Sequence, residues 1–215
     1  MFIKHPDVGF IQTCAIISKN KTTLKNMKKI NYATENLEKV FLISLLTFFI
    51  FLTRGSHLLT SFSLPDASFV LFFAGGIFLK DYKWLCYFLI ISLGIDFLSP
   101  PPGLENSYLF NLGYVGLLLS YFVSWFLGMH LNKSSMFSFN IFLWIGSIFI
   151  ICSYLISTLS FYYLSGWEVQ EGIISFLVKN SQEFFIINIT YLLILFVLVK
   201  FFHGLFKRKH AHKYE

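Results

Sequence analysis

The chain has 215 residues, of which 56% are hydrophobic and only 13% are charged, and its mean hydropathy is +0.67. Soluble domains are about 45–50% apolar and about 25% charged, so this composition excludes an ordinary soluble fold. The formal net charge of +6 does not indicate a nucleic-acid partner, because the basic residues concentrate at the two ends of the chain, as membrane topology favours. We therefore expect an integral membrane protein that is embedded in a lipid bilayer.

Residues 1–36 form a basic leader ahead of the first apolar run. They contain no apolar segment followed by a small-residue cleavage site, so we expect no signal peptide. Met27 stands shortly before the membrane region, where such a protein ordinarily starts. We therefore expect residues 1–26 to be a dispensable extension, and the alternative is a basic surface helix.

Six apolar runs follow the leader. A helix needs about 20 apolar residues to cross a hydrocarbon core of roughly 30 Å. The first run is short, although it extends back to about residue 37. The predicted spans are residues 40–53, 67–79, 84–98, 107–131, 137–164 and 184–206. We expect an all-α integral membrane protein with a six-helix membrane domain at 37–206 and a basic tail at 207–215.

Polar residues and prolines mark the ends of these runs. Asp66 follows Pro65 directly before the second run, which is typical of a helix start. Prolines at 100–102 end the third run, because proline cannot continue a helix. Residues 165–183 are expected to form a longer loop, with the stretch 173–178 lying along the membrane interface.

The basic residues predict the topology. Fifteen of the seventeen Lys and Arg residues fall in segments on one side of the predicted bundle, and two, Arg54 and Lys179, fall on the other. Because cytoplasmic segments carry the excess of Lys and Arg, both termini are predicted to be cytoplasmic. We expect a multi-pass protein of a bacterial inner membrane with outer loops at 54–65, 96–106 and 165–183.

Two acidic residues, Asp66 and Asp96, lie at the predicted outer ends of their helices. A carboxylate in the middle of a bilayer costs about 2.5–3.5 kcal/mol on insertion scales, so such residues face protein or water. Asp66 is equally well explained as a helix N-cap. Asp96 ends a helix, where negative charge opposes the helix dipole, so it is the stronger candidate for a functional role.

Other polar and aromatic residues near the same boundary complete a candidate site. Aromatic residues there form an interfacial belt by default, although ligand pockets also have aromatic walls. His57 is by default a solvated loop residue, and it is also the candidate metal ligand. The predicted substrate-binding residues are His57, Asp66, Asp96, Asn106, Tyr108, Asn111, Tyr114 and Trp167.

Small residues recur at every fourth position of the fourth run. Gly116, Ser120, Ser124 and Gly128 form a slanted stripe along which another helix can approach closely. The functional interpretation is a docking face for a partner protein. The alternative, which we favour, is packing inside the bundle.

Enzymatic motifs are missing from the sequence. It contains no H-E-x-x-H, no G-x-S-x-G and no P-loop. Cys14, Cys86 and Cys152 form no C-x-x-C pair, which argues against a thiol oxidoreductase. By elimination we expect a binding, transport or assembly protein that is not an enzyme and carries no cofactor of its own.

Four short motifs carry a resemblance to a known family. They are Leu-Pro-Asp-Ala-Ser at 64–68, Phe-Phe-Ala-Gly-Gly at 72–76, Gly-Ile-Asp-Phe-Leu at 94–98 and Gly-Tyr-Val at 113–115. In this order and spacing the set resembles the solitary substrate-binding (S) components of the energy-coupling-factor vitamin transporters, above all the cobalamin-specific ones. The resemblance covers about residues 37–131. It implies a six-helix fold that holds cobalamin or a related corrinoid near the outer loops.

The resemblance also bears on partners and on cobalt. Many members need a shared ATP-driven energising module, although solitary members work without a dedicated one. Members carry a cysteine, proposed to reach the cobalt, at the position that is Leu109 here. Three alternatives follow: the vitamin binds without a protein ligand, His57 ligates the cobalt, or the substrate is different.

The leading hypothesis is thus a membrane uptake component that binds a vitamin at its outer face. The alternative is a non-transporting membrane assembly or cell-shape protein with a similar small bundle.

Overall fold

The computed structural model describes residues 36–37, 39–54, 65–98, 111–131, 138–165 and 172–211, and all regular structure within them is α-helical. The chain divides into two compact units, Met1–Leu45 and Leu46–Glu215, and the second contains every feature discussed below. Its helices are α1 (residues 39–54, which begins in the first unit), α2 (Ser68–Leu79), α3 (Tyr82–Leu98), α4 (Leu112–His130), α5 (Phe139–Leu164) and α6 (Ile173–Ala211).

Three of these helices are long and apolar enough to cross a membrane: Leu112–His130, Phe139–Leu164 and Ile173–Lys200. The all-helical class predicted from the sequence is confirmed for the described residues, and the three apolar helices support the predicted membrane character. Helix α2 is apolar but has only 12 residues, about 18 Å at 1.5 Å per residue, which is less than the thickness of the hydrocarbon core. The six-span bundle and the cytoplasmic termini stay predictions.

Local side-chain contacts explain where α2, α3 and α4 begin. The Oδ1 atom of Asp66 accepts the backbone N–H of Ser68, the first residue of α2, at 2.9 Å. Lys80 ends α2 in the left-handed conformation (φ 54°), and Asp81 then accepts the N–H of Lys83 at 3.0 Å at the start of α3. Asn111 caps α4 by accepting the N–H of Gly113 at 2.8 Å.

The last helix corrects the sequence-based prediction. It begins at Ile173, whereas residues 165–183 were expected to form a loop. Packing on α5 explains the earlier start. The ring of Phe176 lies 6.4 Å from that of Phe161 and 5.4 Å from that of Tyr162, and the hydroxyl of Tyr154 donates to the carbonyl of Leu177. These tertiary contacts stabilise a helix over a stretch whose polar residues had suggested a loop.

Helix α4 packs between α2 and α5, and its small residues lie at both interfaces. A Cβ atom added to Gly128 would lie 2.2 Å from the carbonyl oxygen of Phe73 in α2, and one added to Gly116 would lie 2.0 Å from the Cβ of Ser160 in α5. Ser120 is fully buried, and the hydroxyl of Ser124 hydrogen-bonds that of Ser153 at 2.9 Å. The stripe is thus covered by the chain's own helices, as the internal-packing alternative expects.

Candidate functional site

A buried ion pair connects the ends of α1 and α3. The Nε and Nη2 atoms of Arg54 donate to the two carboxylate oxygens of Asp96. Both side chains are buried, with 7% and 8% of their surface exposed. Two parallel N–H···O bonds of this kind are stronger and more directional than a single contact. The pair also explains how a carboxylate is tolerated at the C-terminal end of a helix, because Arg54 neutralises it.

The remaining donors of Arg54 reach α2 and α4. Its Nη1 atom donates to the hydroxyl of Ser68 at 3.1 Å and to the hydroxyl of Tyr121. The guanidinium carbon lies 5.3 Å from the centroid of the Tyr121 ring, within the range of a cation–π interaction. The guanidinium group of Arg54 in α1 therefore links this helix to α2, α3 and α4.

A second carboxylate lies beside this pair. Asp66 approaches Nη1 of Arg54 to 3.5 Å, and 43% of its side chain is exposed. The hydroxyl of Tyr114 in α4 donates to Oδ2 of Asp96. With both carboxylates ionised, one guanidinium faces two negative charges, so this Arg54 cluster has an excess of negative charge.

A cavity of about 530 Å³ opens next to the cluster. It lies between the beginnings of α2 and α4, the C-terminal half of α5 and the N-terminal half of α6. Cavities that bind drug-sized molecules have volumes of about 300–1,000 Å³, so the space suits a small organic ligand.

Aromatic rings form much of its wall. Phe69, Phe161, Phe176, Phe184 and Tyr154 all line the cavity. The ring of Phe184 packs against those of Phe69 and Tyr154, with centroid distances of 5.2 and 5.1 Å. These contacts join α2, α5 and α6 and keep the wall apolar between its polar positions.

The polar positions of α6 share one helical face. Asn180, Glu183 and Asn188 line the cavity together with Phe184 and Ile187, at the spacing of residues that follow one stripe of a helix. Asn188 is only 2% exposed, and its Nδ2 atom donates to the carbonyl of Phe184 at 2.9 Å. Its Oδ1 atom is buried and has no hydrogen-bond partner within the described part of the chain.

The structure brings together part of the predicted site. Asp66, Asn111 and Tyr114 line the cavity. Asp96 does not line it; its carboxylate accepts from Arg54 and from Tyr114. Asn111 lines the cavity but is also occupied as a cap and as a donor to the carbonyl of Ser165. The predicted residues His57, Asn106, Tyr108 and Trp167, as well as Leu109, lie outside the described residues. Within the described ranges, no group of three or more His, Cys, Asp or Glu residues could hold a metal ion.

Several residues of the site were missed. Arg54 entered the sequence analysis only as a marker of topology, since a lone arginine after an apolar run gives no indication of its partner. Glu183 was assigned to a loop. Asn188 could have been found, because an amide inside a predicted span usually faces protein or a cavity rather than lipid.

No protein-family model matches this chain, and no curated protein matches it.

Proposed function

We propose that this protein is a multi-pass membrane uptake component of a bacterial inner membrane. It binds a small organic solute of vitamin type in the cavity beside the Arg54 cluster and mediates its transport into the cell. The charge distribution of the chain predicts that this end of the bundle faces outward, where a solute would arrive.

One observation carries the proposal. The motifs that resemble the energy-coupling-factor S components are scattered over residues 64–115, yet their polar members meet in one place. Asp66 and Ser68 of the first motif, Asp96 of the third and Tyr114 of the fourth all contact Arg54 or its partner carboxylate. Asp66 and Tyr114 also line the cavity. Residues that belong to the same set of motifs and also line one cavity are expected to bind the same ligand.

The resemblance names cobalamin or a related corrinoid as the substrate, so this compound is the first to test. If a corrinoid binds, His57 is the candidate ligand of its cobalt, and dependence on an ATP-driven module is a further point to test.

Uptake can be tested by growth of a vitamin-requiring bacterial strain that lacks its own uptake system. Expression of this protein should restore growth at low external vitamin. Ser157 lines the cavity, and replacement by Trp should fill the space and abolish rescue. Ser147 lies on the same helix but is exposed, so Ser147→Trp is the matched control and should retain rescue.

Three outcomes would contradict the proposal. Failure of the wild-type protein to rescue growth on cobalamin or on any other vitamin, in a host that also supplies an ATP-driven energising module, would exclude an uptake role. Equal rescue by the two Trp variants would show that transport does not depend on this cavity. A change of cell shape on deletion, with uptake unaffected, would favour the assembly protein instead.

A further inference from the structure

Several side chains that line the cavity donate to oxygens of the protein itself. The Nδ2 atoms of Asn180 and Asn188 donate to carbonyl oxygens of their own helix, at 2.7 and 2.9 Å. A carbonyl oxygen can only accept, so the amide orientation is determined and the amide oxygens remain for other partners. The hydroxyl of Tyr154 donates to the carbonyl of Leu177, and that of Tyr114 donates to Asp96. The cavity therefore presents mainly hydrogen-bond acceptors.

One of these acceptors is buried and unpaired. Asn188 is only 2% exposed, and its Oδ1 atom has no hydrogen-bond partner among the residues that the structure describes. Leaving a buried polar atom unpaired costs about 1–3 kcal/mol, so such atoms in native proteins usually meet water or a ligand. A ligand that occupies the cavity and carries an N–H group would supply the missing donor.

The cavity is also negatively charged. Glu183 lines it and makes no ion pair or hydrogen bond with any described residue, while Asp66 adds a partly exposed carboxylate. Among the residues that the structure describes, no Lys, Arg or His side chain lines the cavity. Lys179 precedes Glu183 by one helical turn but does not line the wall. The Arg54–Asp96 pair behind the wall is neutral as a pair, so it does not offset these two carboxylates.

The aromatic wall suits the same kind of ligand. Rings of Phe and Tyr attract a cation over their faces and also contact an apolar body. On the lining face of α6, Phe184 lies between Glu183 and Asn188. These two polar residues are separated by about 7.5 Å along the helix axis. A molecule with a charged nitrogen and a flat or apolar body can meet both polar positions and the ring between them.

We infer that the substrate is a small organic cation that carries N–H donors, such as a primary ammonium or an amidinium, with its charge at Glu183 and a donor at Asn188. This inference rests on the proposed uptake function, and it narrows the substrate to a smaller and more basic compound than a corrinoid. A corrinoid is bulky and relies on neutral amides, so it would bring no cation to Glu183, whose side chain is exposed.

Binding of matched probes to the purified full chain tests the inference. Benzamidine and benzamide have nearly the same shape, but only benzamidine is a cation; phenethylamine and phenethyl alcohol form a second pair. Isothermal titration calorimetry in detergent should show binding of each cation to be about tenfold or more tighter than that of its neutral counterpart, as loss of a charged hydrogen bond implies. Cyanocobalamin serves as the corrinoid probe.

Variants assign the binding to the named groups. Glu183→Gln should remove the preference for the cation, and Asn188→Leu should weaken the binding of both probes in a pair. Asp81→Asn removes the same charge at an exposed turn outside the cavity and should change neither. Circular dichroism and thermal unfolding confirm that each variant is folded.

The outcomes separate the two proposals. Equal affinity for cation and neutral probe, tighter binding of cyanocobalamin, no binding of either cation, or an unchanged preference in folded Glu183→Gln would each overturn the cationic substrate. None of these would exclude uptake, which growth rescue decides independently.

Discussion

Replacement of Asp96 by Asn should destabilise the protein more than removal of any other described carboxylate. Both the Asp96 carboxylate and the Arg54 guanidinium are buried, and the substitution leaves a buried cation without its bidentate partner. Removing one partner of a buried pair costs about 3–5 kcal/mol, against about 0–1 kcal/mol at a surface. Asp66 remains 3.5 Å from Arg54, but it is partly exposed and its interaction is screened by solvent. We therefore expect the lower end, about 3 kcal/mol.

Thermal unfolding of the purified protein in lipid nanodiscs measures this loss. For a chain of this size, 1 kcal/mol shifts Tm by about 2–4 °C, so the expected decrease is about 6–12 °C. Asp81→Asn removes the same charge from an exposed turn and is the matched control, with an expected shift within about 0.5 kcal/mol. Arg54→Lys should also destabilise, because an ammonium group cannot reproduce the forked contact.

A double-mutant cycle provides the test that could refute this explanation. Arg54→Met combined with Asp96→Leu removes both buried charges, and it should be more stable than Asp96→Asn alone, because the remaining carboxylate, Asp66, is partly exposed to solvent. If Asp96→Asn lost less than about 1 kcal/mol, or if the losses from Arg54→Met and Asp96→Leu simply added, the ion pair would not be a buried, coupled interaction.

Two further predictions concern packing and topology. Gly128→Ala should destabilise the protein by about 1–3 kcal/mol in the same unfolding assay, because the added Cβ would lie 2.2 Å from a backbone oxygen of α2. The control is Gly94→Ala, whose added Cβ meets nothing within 4 Å, so this variant should be neutral or stabilising. Equal effects of the two variants would contradict the close crossing of α2 and α4. Reporter fusions after Lys133 and Lys209 should give cytoplasmic signals and one after Glu171 an external signal, while a cytoplasmic signal at Glu171 would exclude the six-span topology.

Apolar runs were sufficient to predict most of the helices, because burial in lipid or protein demands continuous hydrophobic segments. The third and fifth helices end at Leu98 and Leu164, as the flanking polar and proline residues had indicated. The start of α6 could not be predicted in this way. Its first turns contain Lys179, Asn180 and Glu183, which suggest a loop, and only packing against α5 makes that segment helical.

The candidate site was predictable in location but not in its chemistry. Asp66 and Tyr114 were expected at one end of the bundle, and both line the cavity there. Asp96 was expected to bind substrate, yet it binds Arg54, which is 42 positions away in sequence. A contact of this kind depends on how α1 and α3 pack, and no local pattern of apolar and polar residues encodes it.

Tyr114 belongs both to the cavity wall and to the hydrogen-bond network of Asp96. A solute that moves this ring must therefore change the surroundings of the ion pair, and any change in the ion pair must alter the solute's affinity. Thermodynamic linkage makes the two effects equal in free energy. If a bound solute changes the coupling free energy between Arg54 and Asp96 by a measured amount, that same amount is the effect of the coupling on the affinity for the solute. By the same linkage, helices that never touch the solute can sense whether the cavity is occupied.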